Sequence, residues 1–296
     1  MRRVVVAGSF DDFRSSHVRL LHEAHRLGAV YVLLLSDALV SAVTGRLPKF
    51  PAAERQYLLQ SNRYVTQLIV VDQLPPDPQL GWKPVLPLIR EIDPHLWVDA
   101  DHTPAVSAFC LRHGLEYRVL SAAQLAGFPE HDTGVQPRAE KKASRSGREA
   151  HRDRREAAPR TRKVVVTGCF DWFHSGHVRF FEEAFAYGDL YVIVGSDENV
   201  RLLKGEGRPL FPLAERRYLV GSVRYVSRTL ISTGCGWLDA EPEIRALKPD
   251  LYIVNEDGDR QEKREFCQAL GVEYRVLRRA PKQGLIPRSS TQMRGF

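Results

Sequence analysis

Short apolar runs alternate with stretches of helical spacing in the second half of the chain. Lys163–Thr167 is a β-branched run that Gly168 ends, and apolar residues then recur at helical spacing, which predicts a helix from about Ser175 to Tyr187. The apolar run Leu190–Gly195 predicts the next strand. Strand, glycine turn, helix and strand make a βαβ unit, which predicts a parallel sheet with helices on its faces.

The same alternation continues almost to the end of the chain. We predict helices at Leu213–Ser222, Glu241–Leu247 and Gln261–Leu270. We predict strands at Arg228–Ser232, Leu251–Asn255 and Tyr274–Leu277. The expected fold class is therefore α/β, with a Rossmann-like parallel sheet flanked by helices.

The first half of the chain is a version of the second. Val4–Arg19 (VVVAGSFDDFRSSHVR) matches Val164–Arg179 (VVVTGCFDWFHSGHVR) at an offset of 160 residues. Further matches follow in order: Ser36-Asp37 with Ser196-Asp197, Ala53–Arg55 with Ala214–Arg216, Arg63–Val65 with Arg224–Val226, and Glu116–Leu120 with Glu273–Leu277. Each copy has about 130 residues, an ordinary domain size. We therefore predict two tandem Rossmann-like domains, at residues 1–130 and 163–296.

The positive charge of the chain is concentrated between the two copies. The formal net charge is +7, and residues 132–163 alone hold 11 Lys or Arg against 5 Asp or Glu. This composition predicts a basic flexible linker at residues 131–162. The segment has no aromatic residues for base stacking, so its charge does not favour nucleic acid as the partner. A basic arm that contacts RNA, a membrane or an acidic protein is the alternative.

The four cysteines lie far apart and show no metal-ligand spacing. Cys110 and Cys267 occupy equivalent positions in the two copies, and we predict that both are core residues. No secretory signal opens the sequence and no apolar run approaches a membrane span. A reducing, cytoplasmic setting is the resulting expectation.

Two histidines open the helix that follows the glycine turn of the second copy. His174 and His177 are three residues apart and so lie on nearly the same helix face. Gly168 and Gly176 add no side chain that would block a ligand. A helix N-terminus offers free amides and a positive dipole end, so the pair predicts a triphosphate site in which imidazoles donate to phosphate oxygens. Zinc is a weaker alternative, because no third Cys or His ligand is nearby.

Two further segments are candidates for phosphate binding. Lys204 is predicted to lie in a loop at the carboxyl edge of the sheet, with Arg208 as a second candidate in the same loop. Near the end of the chain, Arg288-Ser289-Ser290-Thr291 is a hydroxyl cluster that is predicted to cap a terminal helix and present its amides to phosphate.

These motifs together resemble those of a known enzyme family. GCFDWFHSGH at residues 168–177, Arg224-Tyr225-Val226 and Arg288–Thr291 resemble the signature segments of the cytidylyltransferase-like HxGH nucleotidyltransferases, with Arg288 in place of the isoleucine of that family. The tandem layout resembles the phosphoethanolamine cytidylyltransferases. The stretch Ser196–Arg217 also resembles the heptose-phosphate nucleotidyltransferases.

The resemblance implies transfer of a nucleoside monophosphate from CTP to a phosphorylated alcohol, with release of pyrophosphate. It assigns triphosphate binding to His174 and His177, with Lys204 bridging the α-phosphate and the acceptor phosphate. The implied nucleotide-binding and phosphate-binding set is Gly168, Cys169, Phe170, Asp171, Gly176, Arg288, Ser289, Ser290 and Thr291. Arg224, Asp257 and Arg208 are implied for the nucleotide or the acceptor pocket. Mg²⁺ is implied with the triphosphate, with no protein side chain assigned as its ligand.

Two other functions stay open at this point. One is an ATP-dependent adenylyltransferase that acts on a sugar phosphate, and the other is a non-catalytic nucleotide sensor or scaffold. In the first copy Arg14 and Ser16 replace His174 and Gly176, so we predict that this copy has kept the fold and lost catalysis. It would then form an intramolecular pseudo-dimer with the second copy, or the chain would form a homodimer. Arg14 as the binding residue for a phosphate-bearing regulator is the alternative.

Overall fold

The computed structural model describes residues 1–72, 82–131, 162–290 and 293. The predicted basic linker lies outside the described residues except for its two ends, and so does Thr291. The described residues form two five-stranded parallel sheets with helices on their faces. The predicted α/β class is therefore confirmed. We call the half that carries the first sheet the first domain and the half that carries the second sheet the second domain.

The first sheet has the order β3-β2-β1-β4-β5. Its strands are β1 (Arg3–Gly8), β2 (Ala29–Leu35), β3 (Val65–Val71), β4 (Leu96–Asp99) and β5 (Glu116–Val119). Its helices are α1 (Ser15–Leu27), α2 (Asp37–Thr44), α3 (Ala52–Gln60), α4 (Leu86–Ile92), α5 (Pro104–His113) and α6 (Ala122–Leu125).

The second sheet has the equivalent order, β10-β9-β6-β7-β8. Its strands are β6 (Lys163–Gly168), β7 (Asp189–Val194), β8 (Val226–Ile231), β9 (Leu251–Asn255) and β10 (Glu273–Leu277). Its helices are α7 (Ser175–Phe185), α8 (Asp197–Lys204), α9 (Leu213–Gly221), α10 (Glu241–Leu247) and α11 (Gln261–Leu270). From β6 the chain adds β7 and β8 on one side of this strand, and then β9 and β10 on the opposite side of β6. The strand order therefore reverses at β6, and ligands bind at the carboxyl ends of the strands at such a switch point.

One helix was missed by the sequence patterns. Lys204 was predicted to lie in a loop, but it is the last residue of α8. Ser196 caps this helix by accepting from the backbone N–H of Asn199, and Asp197 in the first turn and Arg201 in the last turn both complement the helix dipole. Helix α8 therefore depends on its caps and charges, which a search for apolar periodicity does not detect.

The apolar core continues from one domain into the other. Val164, Val165 and Val166 of β6 are fully buried, as are Val4, Val5 and Val6 of β1. One cluster of buried apolar side chains joins α1 and α3 of the first domain to α7 and α9 of the second. Cys110 and Cys267 are both buried, as predicted.

The two domains meet through equivalent residues. The backbone N–H of Arg63 donates to Ser222 (2.8 Å), and that of Arg224 donates to Ser61 (2.9 Å). The guanidinium group of Arg63 donates to the carbonyls of Val223 and Val226, while that of Arg224 donates to those of Asn62 and Val65. Each contact therefore has a counterpart made by the other copy, which is the pattern of a two-fold interface.

The described part of the chain contains neither a helix that could span a membrane nor a cluster of side chains that could bind a metal ion. None of the helices there combines the length and the apolar content that a membrane crossing requires. Across the same residues, no group of three or more His, Cys, Asp or Glu side chains is placed to hold a metal ion.

Candidate functional site

The turn between β6 and α7 is a strained segment that closes over the end of the strand. Phe170 (φ 52°) and Trp172 (φ 51°) adopt left-handed backbone conformations, which cost about 1–2 kcal/mol each in residues other than glycine. A Cβ at Gly168 would lie 2.7 Å from the Phe170 ring. The glycine is therefore required so that this ring can fold back onto the strand end.

The two histidines of the turn form a stacked pair. His174 is the N-cap of α7, and its Nδ1 accepts a hydrogen bond from the N–H of Gly176 (3.1 Å). The Nδ1 of His177 accepts from the N–H of His174 (3.4 Å). The ring centroids are 3.9 Å apart with an interplanar angle of 22°. Each imidazole therefore satisfies one free amide of the helix N-terminus and holds its neighbour in place.

Gly176 has a role that differs from the one expected. We predicted that it leaves space for a phosphate or a sugar. A Cβ at this position would instead lie 2.9 Å from Cε1 of His174. The glycine is thus needed so that the His174 ring can fold over the amide of residue 176.

Both imidazoles are held in the neutral state. Burial, with smaller contributions from the positive charges of Arg279 and Arg288, lowers the pKa of His174 to about 3. Burial also lowers the pKa of His177 well below its usual value, and the positive charges of Arg279 and Lys204 act in the same direction. A neutral ring that accepts at Nδ1 carries its proton on Nε2. Nε2 of His174 is buried and has no hydrogen-bond partner among the described residues.

A cleft of ≈ 360 Å³ lies at the carboxyl ends of β6 and β9. Most of the predicted site residues line it: Gly168–Asp171, His177, Lys204, Asp257 and Ser289-Ser290. Lys204 is exposed at its edge, and no hydrogen bond or ion pair engages its ammonium group within the part of the chain that the structure describes. The folded chain therefore places neutral imidazole, a free ammonium group and hydroxyl groups around one cavity.

Asp171 and Arg208 do not face a ligand as free groups. Their side chains are buried and form an ion pair of 2.7 Å. The Asp171 carboxylate also accepts from the backbone N–H groups of Leu210 and Phe211. These contacts attach the segment after α8 to the histidine turn, so the prediction of phosphate binding by these two side chains needs correction.

Two further predicted residues are directed elsewhere. Arg224 lies at the domain contact described above and is not among the residues that line the cleft. Arg288 points to the first domain, where it forms an ion pair with Glu54 (2.8 Å). Both side chains are therefore employed in holding the domains together, which their position beside phosphate-binding motifs did not indicate.

Several residues of the cleft escaped the sequence analysis. Arg279 lines it, pairs with Asp257 (2.7 Å) and donates to the Arg288 carbonyl (2.9 Å). Its position two residues after β10 could have identified it, because the carboxyl ends of parallel strands meet at one edge. Lys263 of α11 also lines the cleft, and burial lowers the pKa of its ammonium group. No local signal distinguishes Lys263 from a solvent-exposed lysine of a helix.

The equivalent turn of the first domain lacks the imidazole pair. His17 keeps the local arrangement, because its Nδ1 accepts from the N–H of Arg14 (3.0 Å). The guanidinium group of Arg14, however, stacks on Trp172 (4.3 Å) and Phe211 (4.7 Å) of the second domain and pairs with Asp12 (2.8 Å). Arg14 therefore contacts the neighbouring domain from the position that is equivalent to His174.

Comparisons with known proteins agree with this geometry. The family described as "Cytidylyltransferase-like" matches residues 165–296. The FAD synthase of Ferroglobus placidus is 35% identical over 125 residues, which are 41% of this chain and 78% of that protein. The bifunctional protein HldE of Methylococcus capsulatus is 40% identical over 97 residues, 32% of this chain and 20% of that protein. This chain thus spans about a fifth of the length of that relative.

Among solved structures, the lipopolysaccharide core biosynthesis protein from Thermoplasma volcanium GSS1 is similar to this chain. The match covers 42% of this chain and 99% of the chain of that protein. The sequence identity is 24% and the TM-score is 0.36.

Proposed function

This chain belongs to the cytidylyltransferase-like family of nucleotidyltransferases, and on that premise we propose that its second domain transfers an adenylyl group from ATP to a phosphorylated small molecule. The products would be a pyrophosphate-linked adenylyl compound and free pyrophosphate. The name of the FAD synthase relative supports ATP over CTP, because the adenine half of FAD is an adenylyl group.

One observation carries the proposal. The His174–His177 pair is neutral and accepts backbone hydrogen bonds at Nδ1, which leaves the proton of each ring on Nε2, and His177 lines the cleft together with Lys204. This set suits oxygens of an α-phosphate, where negative charge grows as an acceptor phosphate attacks. A neutral imidazole donates one hydrogen bond there without requiring a proton from the reaction.

The residues of the cleft fit a direct in-line transfer. The acceptor phosphate oxygen forms its bond to the α-phosphorus while the bond to the pyrophosphate group breaks, so the protein positions the two reactants and stabilises charge. Cys169 lines the cleft, and burial raises the pKa of its thiol, which keeps it protonated and a poor nucleophile. These properties support a mechanism without a covalent enzyme intermediate.

Magnesium fits this site as a companion of the triphosphate. Within the described ranges no cluster of acidic, His or Cys side chains would hold the ion by itself. Phosphate oxygens and water are the ligands that Mg²⁺ prefers in such complexes, and the ion neutralises part of the triphosphate charge. Lys204 and the amides of α7 then neutralise the remaining charge from the protein side.

CTP is the second candidate donor, because the GCFDWFHSGH segment resembles the cytidylyltransferase signature. The acceptor is proposed only as a phosphorylated small molecule, with a sugar phosphate as the first choice. For the first domain we propose a non-catalytic role, which the position of Arg14 supports.

Pyrophosphate release tests the proposal directly. The full chain is incubated with Mg²⁺, either ATP or CTP, and one member of a panel of sugar, alcohol and flavin phosphates. We expect release with ATP and at least one acceptor. Release with CTP alone would reject the choice of ATP, and binding of ATP without release for any acceptor would favour a nucleotide sensor.

A further inference from the structure

The last described segment of the second domain lies against helix α3 of the first. The Lys282 ammonium group packs over the Tyr57 ring (5.6 Å) and pairs with Glu182 (2.7 Å), which also accepts from the Tyr57 hydroxyl (2.8 Å). Leu285 packs against the apolar cluster that the two domains share. The segment that carries Ser289 and Ser290 is therefore supported by both domains.

Glu54 of α3 makes the most deeply buried of these contacts. It is 1% exposed and accepts hydrogen bonds from Nε (3.0 Å) and Nη2 (2.8 Å) of Arg288. Its Oε1 also accepts from the hydroxyl of Ser175 (2.6 Å). The Arg288 guanidinium group stacks on Phe50 at 5.0 Å. Charge-assisted hydrogen bonds of this kind between a guanidinium group and a carboxylate are stronger than neutral ones.

The two partners of Glu54 do not line the cleft themselves, but each is next in sequence to a segment that forms part of the site. Ser175 is the first residue of α7 and follows His174 directly. Arg288 precedes Ser289 and Ser290, which line the cleft. A single carboxylate from the first domain therefore contacts both the histidine turn and the segment that carries the two serines.

We propose that Glu54 is a positioning residue of the second domain's site, and this inference rests on the proposed nucleotidyl transfer. Glu54 touches neither nucleotide nor acceptor, and it acts through Arg288 and Ser175 on the segments that do. The first domain then contributes a required part of the site even though its own turn lacks the imidazole pair. Its α3 is well suited to this role because the helix packs within the shared core.

The chain contains a matched control for this residue. Glu215 is the equivalent of Glu54 in the second copy, and it accepts from the hydroxyl of Ser15 (2.6 Å) just as Glu54 accepts from Ser175. Phe211 is the equivalent of Phe50, and the Arg14 guanidinium group stacks on its ring. Glu215→Gln therefore alters the corresponding interdomain contact, which is made to the turn of the first domain and not to the histidine turn of the second.

Steady-state kinetics of the full-length Glu54→Gln and Glu215→Gln variants test the inference. We expect KM for ATP to rise about tenfold in Glu54→Gln, the scale of a lost charge-assisted hydrogen bond, with KM for the acceptor unchanged. Glu215→Gln should change KM for ATP less than twofold. Equal KM values for ATP in wild type and Glu54→Gln would overturn the inference.

A double variant keeps the test valid if Glu54→Gln alone folds poorly. Glu54→Gln with Arg288→Met removes both buried charges and leaves neither unpaired. Because both changes break the same contact, the double variant should show the same rise in KM as Glu54→Gln, rather than the product of two effects. A wild-type KM in the double variant would contradict the positioning role.

Hydrogen exchange separates this inference from the proposed function. In the full chain without nucleotide, Glu54→Gln should speed exchange at the amides of residues 285–290 and of the first turn of α7, and Glu215→Gln should leave them unchanged. If wild-type protein releases no pyrophosphate, the proposed function fails while this readout still decides the role of Glu54. Unchanged exchange at these amides would reject the positioning role whatever the activity.

Discussion

His174 and His177 are held as a stacked pair because each ring accepts one backbone N–H at the start of the same helix. The capping bonds leave both Nε2 atoms protonated, while burial keeps both rings neutral. The arrangement therefore places two uncharged donors at the positive end of a helix dipole, which is a suitable environment for a triphosphate.

Removal of one imidazole should reduce turnover while leaving the fold in place. We expect His177→Ala to lower kcat by about 10²–10³, the scale for loss of one transition-state donor. His17→Ala in the first domain provides the matched control and should change kcat less than twofold. Pyrophosphate release under saturating ATP measures both. Comparable losses in the two variants would contradict the assignment of catalysis to the second domain.

Gly176→Ser introduces the residue that the first copy has at the equivalent position, Ser16. Because a Cβ there would lie 2.9 Å from the His174 ring, the ring has to leave the amide of residue 176 and the stack with His177 should open. We expect kcat to fall at least about tenfold, with an unfolding midpoint close to that of wild type. The opposite change, Ser16→Gly, should leave kcat unaltered. Retention of full turnover by Gly176→Ser would show that the stack is dispensable.

The buried Asp171–Arg208 pair should contribute to stability and to the shape of the cleft. Arg208→Met leaves the Asp171 carboxylate without its guanidinium partner, and breaking a buried ion pair in this way costs about 3–5 kcal/mol. Urea unfolding of wild type and variant gives the difference in unfolding free energy. The exposed pair Arg245–Glu241 serves as the comparison, because Arg245→Met should cost less than about 1 kcal/mol. A similar small cost in both variants would argue against a structural role for Asp171.

The domain contact should weaken in mild acid. Burial lowers the pKa of His22 to about 4 and that of His131 to about 3, where the ordinary value is 6.5. His131 lies against Tyr64 and Tyr218, and its Nε2 contacts the Tyr218 carbonyl at 2.7 Å. The folded state therefore binds fewer protons than the unfolded state below pH 6.5, so the stability that the neutral rings provide is complete above that pH and declines as the pH falls towards 4.

We expect the unfolding free energy to decrease by about 1.4 kcal/mol per pH unit for each of these histidines below about pH 6. Urea unfolding at a series of pH values measures this slope. His17, His174 and His177 also have lowered pKa values and act in the same direction, so the slope should become shallower, not flat, in a His22→Gln, His131→Gln double variant. An unchanged slope in that variant would exclude the two interface histidines as its source.

The sequence predictions were accurate where the interactions that form an element join residues close together in the sequence. The helix at Gln261–Leu270 and the strand at Leu251–Asn255 have the predicted bounds, because apolar spacing and terminal glycines are local signals. The His174–His177 pair was also accessible, since both bonds that hold it join residues no more than three apart. Helix α8 was missed because its signal lies in capping and charge, not in apolar spacing.

The predicted binding residues whose side chains are engaged within the protein all have distant partners. Arg208 pairs with a residue 37 positions away, Arg224 with carbonyls 159 and 162 positions away, and Arg288 with Glu54 across 234 positions. An arginine beside a phosphate-binding motif has the same local sequence context whether it faces a ligand or a buried carboxylate. Only the folded chain distinguishes these cases.

The sequence by itself determined the two-fold repetition, the parallel α/β architecture and the chemical character of the histidine turn, because each depends on spacing within a few residues or on direct comparison of the two copies. Only the tertiary structure decided which cationic side chains are paired among the described residues and that Glu54 of the first domain contacts Ser175 and Arg288 of the second. The physical reason is that burial and charge pairing are set by groups brought together from distant parts of the chain, and these groups leave no local pattern in the sequence.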